Sequence, residues 1–259
     1  LKDTYDIVAI SDIQAPSHDV KAVRAVTNFI KDFAPDLLIC VGDEADSPEP
    51  ARWNKGKAME YGGTLQKGLD TVHAIMSGFR DALGDKPFML QRSNHGDRIE
   101  IYVDKYAPAL SSLHNLKYEA LLKYADLDIK YSNKDLTRVA PGWMMAHGDE
   151  GGSSQIAGGV AMGIARRTGY SIVSGHTHKL GLQHQNTAVN GKMVKNLFGF
   201  EVGHLMDLKA ASAQYLKTGG ANWQQGFGIL RVHKGHVFPV PVPILGRKFS
   251  VDGQVYSWN

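Results

Sequence analysis

The chain has 259 residues, 43% hydrophobic and 21% charged, an ordinary globular composition with room for a large core; a single domain over residues 1–259 is the expectation. Its net charge of +3 is too small for nucleic-acid binding by bulk charge, though a local basic groove stays open. The lone Cys40 excludes an internal disulfide, and no run is long and apolar enough to span a bilayer as a helix. The opening Leu1-Lys2-Asp3-Thr4 has no secretory leader and no initiator Met, as expected of a processed or truncated chain acting in the cytoplasm.

Residues 5–11 form an apolar, β-branched run that predicts a buried strand ending at Asp12. Ser17 or Asp19 can cap the next helix, whose apolar face is Val20, Val23, Phe29, Ile30 and Phe33. Residues 36–41, containing Cys40 as a core residue, predict a second strand, and this strand–helix–strand spacing implies a parallel pair. Residues 47–63 are rich in Pro, Gly and charge and predict an irregular loop. Leu65, Leu69, Val72, Met76, Phe79 and Leu83 then mark a long amphipathic helix. A third strand, 87–91, is followed by short helices over 98–124, broken at Pro108. Strands resume near Ile129, Leu136 and Trp143. A helix over 154–168, a strand over 171–174 and hairpin-like runs at 180–188, 193–202 and 227–237 complete the pattern, the last turning at Lys234-Gly235. The chain reads α/β early and β-rich late, which implies two sheets face to face flanked by helices.

Five acid- and histidine-bearing segments follow predicted strands: Ser11-Asp12-Ile13-Gln14, Gly42-Asp43-Glu44-Ala45-Asp46, Ser93-Asn94-His95-Gly96-Asp97, Ala146-His147-Gly148-Asp149 and Gly175-His176-Thr177-His178. Strand ends are where α/β proteins build sites. Carboxylate, amide and imidazole ligands suit a pair of divalent metals, and without a thiolate the set admits Mn, Fe, Zn, Mg or Ni. A carboxylate such as Asp43 can bridge cations roughly 3.5–4 Å apart, whose bridging water would become hydroxide near neutral pH. His95, directly after a ligand, is placed to protonate a leaving alkoxide.

The five-part series resembles the signature of the calcineurin-like metallophosphoesterases, Asp-x-His, Gly-Asp-x-x-Asp, Gly-Asn-His-(Asp/Glu), a later His and Gly-His-x-His. The likeness runs from Asp12 to His178 in order and spacing. The stretches 94–100 and Asn222-Trp223-Gln224-Gln225-Gly226-Phe227 are similar to segments of phage-borne members. The resemblance implies a four-layer α/β/β/α sandwich of two mixed sheets. It also implies a first metal on Asp12 and His178, a bridging Asp43, a second metal on Asn94, His147 and His176, and His95 as general acid. Two divalent ions are implied, with Mn the first expectation.

The chain departs from the signature in two places that matter. Gln14 stands where the family has His; its neutral oxygen either ligates weakly, giving a labile first metal that favours Mn or Mg, or makes a hydrogen bond beside the metal. Gly96 replaces the acid that orients the catalytic His, a task left to Asp97 one residue on. Asp46 reads as an acid orienting a ligand, and Arg98 either touches the substrate phosphate or is a solvated helix-start residue. Trp53 with Arg52, Lys55 and Lys57 reads as an ordinary basic surface loop or as a stacking, phosphate-gripping lid. His204 is a candidate for the cleft wall; His18, His73, His114, His184, His233 and His236 read as structural or exposed. The function that follows is a metal-dependent phosphodiesterase acting on nucleotides, cyclic nucleotides or nucleic acid. A phosphomonoesterase or protein phosphatase is the alternative, then a non-catalytic metal-binding scaffold.

Overall fold

The computed structural model describes residues 3–210 and 221–259; Leu1 and Lys2 of the opening sequence lie outside them. The first sheet grows from parallel strands Thr4–Ile10 (β1), Leu37–Cys40 (β2), Phe88–Gln91 (β3) and Ile129–Ser132 (β4). Helices Val20–Phe33 (α1) and Leu65–Leu83 (α2) make the first two crossovers. Gly226–His233 (β10) returns antiparallel along β1, and His236–Pro243 (β11) closes the edge, giving the order β11-β10-β1-β2-β3-β4. The second sheet contains Thr137–Ala140 (β5), Trp143–Met145 (β6), Ser171–Ser174 (β7), Leu180–Val189 (β8) and Lys192–Val202 (β9). Its order is β5-β6-β7-β9-β8, with β6, β7 and β9 parallel and the edge strands antiparallel.

Successive side chains of a strand face opposite ways, and β1 shows what that does here. Ile7 and Ala9 meet Ile39, Val41, Trp143, Met145, Val173 and Phe200 between the sheets. Val8 and Ile10 face the helices, packing with Val26, Phe29 and Ile30 of α1 and Val72, Met76 and Phe79 of α2. Both faces are buried from Ile7 to Ile10, so that stretch is apolar throughout rather than alternating. On the far side of the second sheet, Ile172 packs against Val160, Ala161 and Ile164 of Gly159–Thr168 (α4). Helix, sheet, sheet and helix make the expected four layers. Phe29 lies at the centre of an aromatic group with Phe33, Phe227 and Phe249, at 5.0, 5.1 and 5.6 Å between ring centres. Truncating such a ring to Ala typically costs about 3–5 kcal/mol.

Local chemistry explains where the elements begin. Asp19, not Ser17, caps α1, its side chain accepting from the amides of Lys21 and Ala22 at 3.0 Å. Val20, expected on the apolar face, is 55% exposed because it precedes the first turn that meets the sheet. The helix expected from residue 154 starts at Gly159, because the carbonyls of Ser154, Gln155 and Ala157 are taken by Lys179, Asn222 and Gln183. The 47–63 loop carries two single-turn helices, Arg52–Asn54 and Ala58–Tyr61. A C-terminal hairpin, Lys248–Val251 (β12) with Gln254–Ser257 (β13), was not predicted; Phe249 seats it on α1. The edge strand β11 carries Pro239, Pro241 and Pro243 at alternate positions.

Candidate metal centre

Every predicted ligand lies just past the C-terminal end of a strand. Asp12 and Gln14 follow β1, Asp43 follows β2, Asn94 and His95 follow β3, His147 follows β6, and His176 and His178 follow β7. The turns that aim these side chains at one point are strained. Asp12, Gln14, Asp43, His176 and His178 all have left-handed backbones, with φ of +49°, +54°, +56°, +66° and +59°. Such a conformation costs a non-glycine residue on the order of 1–3 kcal/mol and persists only where neighbours impose it. Here backbone bonds between turns do so: Asp12 N to Gly42 O at 3.1 Å, Gln14 N to Asp43 O at 2.9 Å and Gly175 N to His147 O at 2.9 Å. Gly175 allows the closest approach, since a Cβ there would collide with Ser11 Oγ and Asp12 Oδ2.

Two ligand groups share one carboxylate. Asp43, His147 and His176 form one and Asp12, Asp43 and His178 the other, the ligand atoms within each lying within 4.8 Å of one another. His147 donates from Nδ1 to the Val41 carbonyl at 2.8 Å, which turns Nε2 inward. That nitrogen lies 2.9 Å from Asn94 Oδ1, 3.2 Å from His176 Nδ1 and 3.3 Å from Asp43 Oδ2. In the other group His178 Nε2 is 3.3 Å from Asp12 Oδ1, while Asp12 Oδ2 accepts the His176 amide at 2.9 Å.

The buried polar atoms fit cations. Gln14 Oε1 and Asp43 Oδ1 are buried and accept no hydrogen bond among the described residues. Buried oxygens in that state call for an explanation, and a cation supplies one. Gln14 also donates from Nε2 to Asp43 Oδ2 at 3.1 Å. It therefore both orients the shared carboxylate and presents an oxygen.

Electrostatics agree. Burial opposes charge on Asp43, but His147, His95 and His176 outweigh it and hold the carboxyl well below the ordinary range. Burial likewise opposes charge on His147, and the Asp43 carboxylate outweighs it, holding the imidazole up at about 10. His176 is pushed down by burial and by His147. Proton and cation compete for the same nitrogen: His147 must lose its Nε2 proton before that atom can ligate.

His95 is held differently from expectation. Its Nδ1 contacts the Asp46 carbonyl at 2.9 Å and Asp46 Oδ1 at 3.3 Å, so Asp46 is the residue that orients the ring. Asp97 does not reach it. It starts Asp97–Tyr106 (α3) and its carboxylate binds Arg92, at 3.1 Å from Nε. Arg92 also meets Asp149 and Glu150 at 3.2 and 3.4 Å, tying the loop after β3 to the loop after β6. Gly96 cannot carry the missing acid, because a Cβ there would lie 2.9 Å from the Tyr118 ring. Arg98 is buried, not solvated. It reaches His95 Nε2 at 2.6 Å and the Asp46 carbonyl at 2.5 Å, with its guanidinium 4.7 Å from the centre of the Trp53 ring.

Sequence reasoning missed three supports. Glu44, beside the shared Asp43, is wholly buried and accepts from Tyr118 and Tyr124 hydroxyls, each at 2.6 Å. Burial holds its carboxyl above the ordinary range. Glu201 accepts from Thr177 Oγ1 and from the Val160 amide, both at 2.8 Å, fixing the turn between His176 and His178 to the start of α4. Trp223 packs nearly perpendicular to His178, with 4.6 Å between ring centres. His204, expected on the cleft wall, is fully buried behind His178 at 6.0 Å between rings. Its Nδ1 accepts the Met206 amide at 3.1 Å, and burial and His178 press its pKa down to about 3. The signal for these supports is weak, since each partner is distant in sequence.

The layered fold, with candidate oxygen and imidazole ligands gathered on strand ends, is the four-layer α/β/β/α arrangement that the five-part motif implied. No family model matches the chain. It is 38% identical over 254 residues to the gene 54 protein of Mycobacterium phage D29, covering 97% of this chain and 98% of that protein. It is 36% identical over 254 residues to the gene 54 protein of Mycobacterium phage L5, at the same coverage. The chain belongs to the family of these mycobacteriophage gene 54 proteins. Similar solved structures include Vps29 of Chaetomium thermophilum, with TM-score 0.47, 8% identity and 98% of each chain covered. Wild-type Vps29 of Entamoeba histolytica, complexed with zinc, has TM-score 0.44 and 12% identity, with 96% of this chain and 95% of that one covered.

Proposed function

We propose that this protein is a binuclear-metal-dependent phosphodiesterase acting on nucleotides, cyclic nucleotides or nucleic acid. The observation that carries the reading is the sharing of Asp43 between two ligand groups, one completed by Asp12 and His178, the other by His147 and His176 with Asn94 alongside. Gln14 offers its oxygen beside the first group. Bound there, divalent cations, Mn first among them, supply Lewis-acid charge on the phosphate and acidify a water.

The chain's own part is to position groups and move one proton. His95 gives a proton to the leaving oxygen as the phosphorus–oxygen bond breaks, a contribution typically of about 10²–10⁴-fold. Asp46 holds the ring through Nδ1, leaving Nε2 for this transfer. Arg98 now donates to Nε2, so for His95 to act Arg98 must turn to the substrate phosphate, trading one partner for a charge-assisted bond, and Nε2 must then carry the proton it gives. The setting we propose for this activity is the host cytoplasm, a reading supported by the phage origin of the relatives.

A non-catalytic metal-binding scaffold is favoured by one observation, the Arg98 contact that occupies His95 Nε2. Hydrolysis of bis(p-nitrophenyl) phosphate and p-nitrophenyl phosphate, with and without Mn and with Asn94→Ala as control, separates the readings. Mn-dependent diester cleavage that Asn94→Ala abolishes supports the phosphodiesterase. Monoester preference favours a phosphomonoesterase or protein phosphatase. Full metal loading without turnover of either ester favours the scaffold.

A further inference from the structure

Beside the metal centre, on the α3 side, lies a groove with a cavity volume of about 400 Å³, lined by Arg52, Trp53, Asn94, Arg98, Lys105 and Tyr106 among others. Asn94 belongs to both groove and centre, so the groove opens directly from the place where the reacting phosphate would sit. Its lining contains three cations and no carboxylate. Two acids adjoin the lining, and both are engaged: Glu60 by Lys55 Nζ and the Tyr102 hydroxyl, both at 2.6 Å, and Asp46 by Arg98 at 3.5 Å.

The groove is also aromatic. Trp53, on the Arg52–Asn54 turn, is 50% exposed although a guanidinium already lies over its ring. Tyr102 and Tyr106 stand one turn apart on α3 with ring centres 4.8 Å apart, and Lys55 Nζ is 3.8 Å from the Tyr106 ring centre. Exposed π faces beside Arg52 and Lys105, next to a phosphate site, match a base and its neighbouring phosphate; an alkyl substituent would use neither.

We infer that this groove is a nucleoside subsite, in which the base attached to the scissile phosphate stacks on Trp53 and the next phosphate meets Arg52 and Lys105. The inference rests on the phosphodiesterase reading for its seated phosphate and adds the nucleic-acid character of the substrate.

Two diesters with the same p-nitrophenolate leaving group test it on the Mn-loaded protein: thymidine 5′-(p-nitrophenyl phosphate) and methyl p-nitrophenyl phosphate. The readout is the ratio of their kcat/KM values, in which any effect of Trp53 on Arg98 and His95, felt by both esters, divides out. The wild type should favour the thymidine ester. Trp53→Ala should lower the ratio roughly tenfold, and Trp53→Phe should restore most of it. A ratio unchanged in Trp53→Ala would overturn the subsite. Calorimetric titration with thymidine 3′,5′-bisphosphate separates this from the parent reading. If neither ester is cleaved, the phosphodiesterase fails, while bisphosphate binding weakened roughly tenfold by Trp53→Ala still upholds the subsite. Equal or absent binding in both proteins sinks it. Matching melting curves establish that the variants are folded.

Discussion

The two sheets bring different chemistry to the site. The first supplies oxygen: Asp12 and Gln14 after β1, Asp43 after β2 and Asn94 after β3. The second supplies nitrogen: His147 after β6, with His176 and His178 after β7. Neither set alone satisfies a cation of intermediate hardness, and each sheet carries its own strained turns. The centre thus exists only when the sheets are packed, and a bound cation would hold them together in return. Asp43 is the pivot, since both ligand groups run through it.

The largest expected effect comes from breaking that pivot. Asp43→Ala should abolish diester cleavage and reduce bound Mn from two ions to none by elemental analysis; retention of one tightly held ion would show that the groups are independent. His95→Ala should come next, with alkyl diesters losing about 10²–10⁴-fold and nitrophenyl esters far less. Equal losses on both substrates would remove His95 from the proton transfer.

A third prediction concerns pH. The raised His147 pKa stabilises the fold fully below its unfolded value of 6.5, and that contribution is lost as pH rises through about 10. The lowered Asp43 pKa works the other way, adding stability above the ordinary carboxylate value of 3.8 that disappears as pH falls through the depressed one. Chelator-treated protein should therefore melt progressively earlier as pH climbs from about 6.5 to about 10. Mn-loaded protein should not, because the cation replaces the proton on Nε2. Superimposable melting profiles would mean that His147 does not bind the ion. Loading near neutral pH should also release a proton, visible as a dependence of binding heat on buffer ionisation. The smallest effect is reserved for Gln14→His, which moves one nitrogen donor onto the oxygen side. It should tighten the first ion by roughly the 10–100-fold typical of one altered partner and shift preference toward Zn, measured by chelator competition. Weaker binding would make the Gln14 bond to Asp43 the more important role.

Much of this arrangement was legible before any coordinates. Strand ends and loop residues sit together in sequence, so the segments carrying Asp12, Asp43, Asn94, His147 and His176 announced their place, and the structure brings them together there. The return of β10 to lie along β1 left no local signal, because strand pairing over more than two hundred residues is decided by packing rather than by either strand. The β12–β13 hairpin did carry one, Asp252-Gly253 between alternating apolar residues, and it was overlooked. That Arg98 rather than Asp97 reaches His95 has a geometric cause. Neighbours on a helix point roughly 100° apart, so the residue that faces His95 depends on the phase at which α3 begins, and motif spacing alone does not reveal that.

Strand β11 has a consequence for how the molecule meets others of its kind. An antiparallel edge strand turns alternate residues toward its partner and the rest toward solvent, and a proline has no amide hydrogen to give in either direction. Pro239, Pro241 and Pro243 pair with Leu230, Gly228 and Gly226 in register, so they take the outward positions and leave the inward amides to β10. A strand approaching this margin would find carbonyls and, at those three positions, no donors. The sheet is finished there, and a copy of the chain arriving edge-on has little to extend.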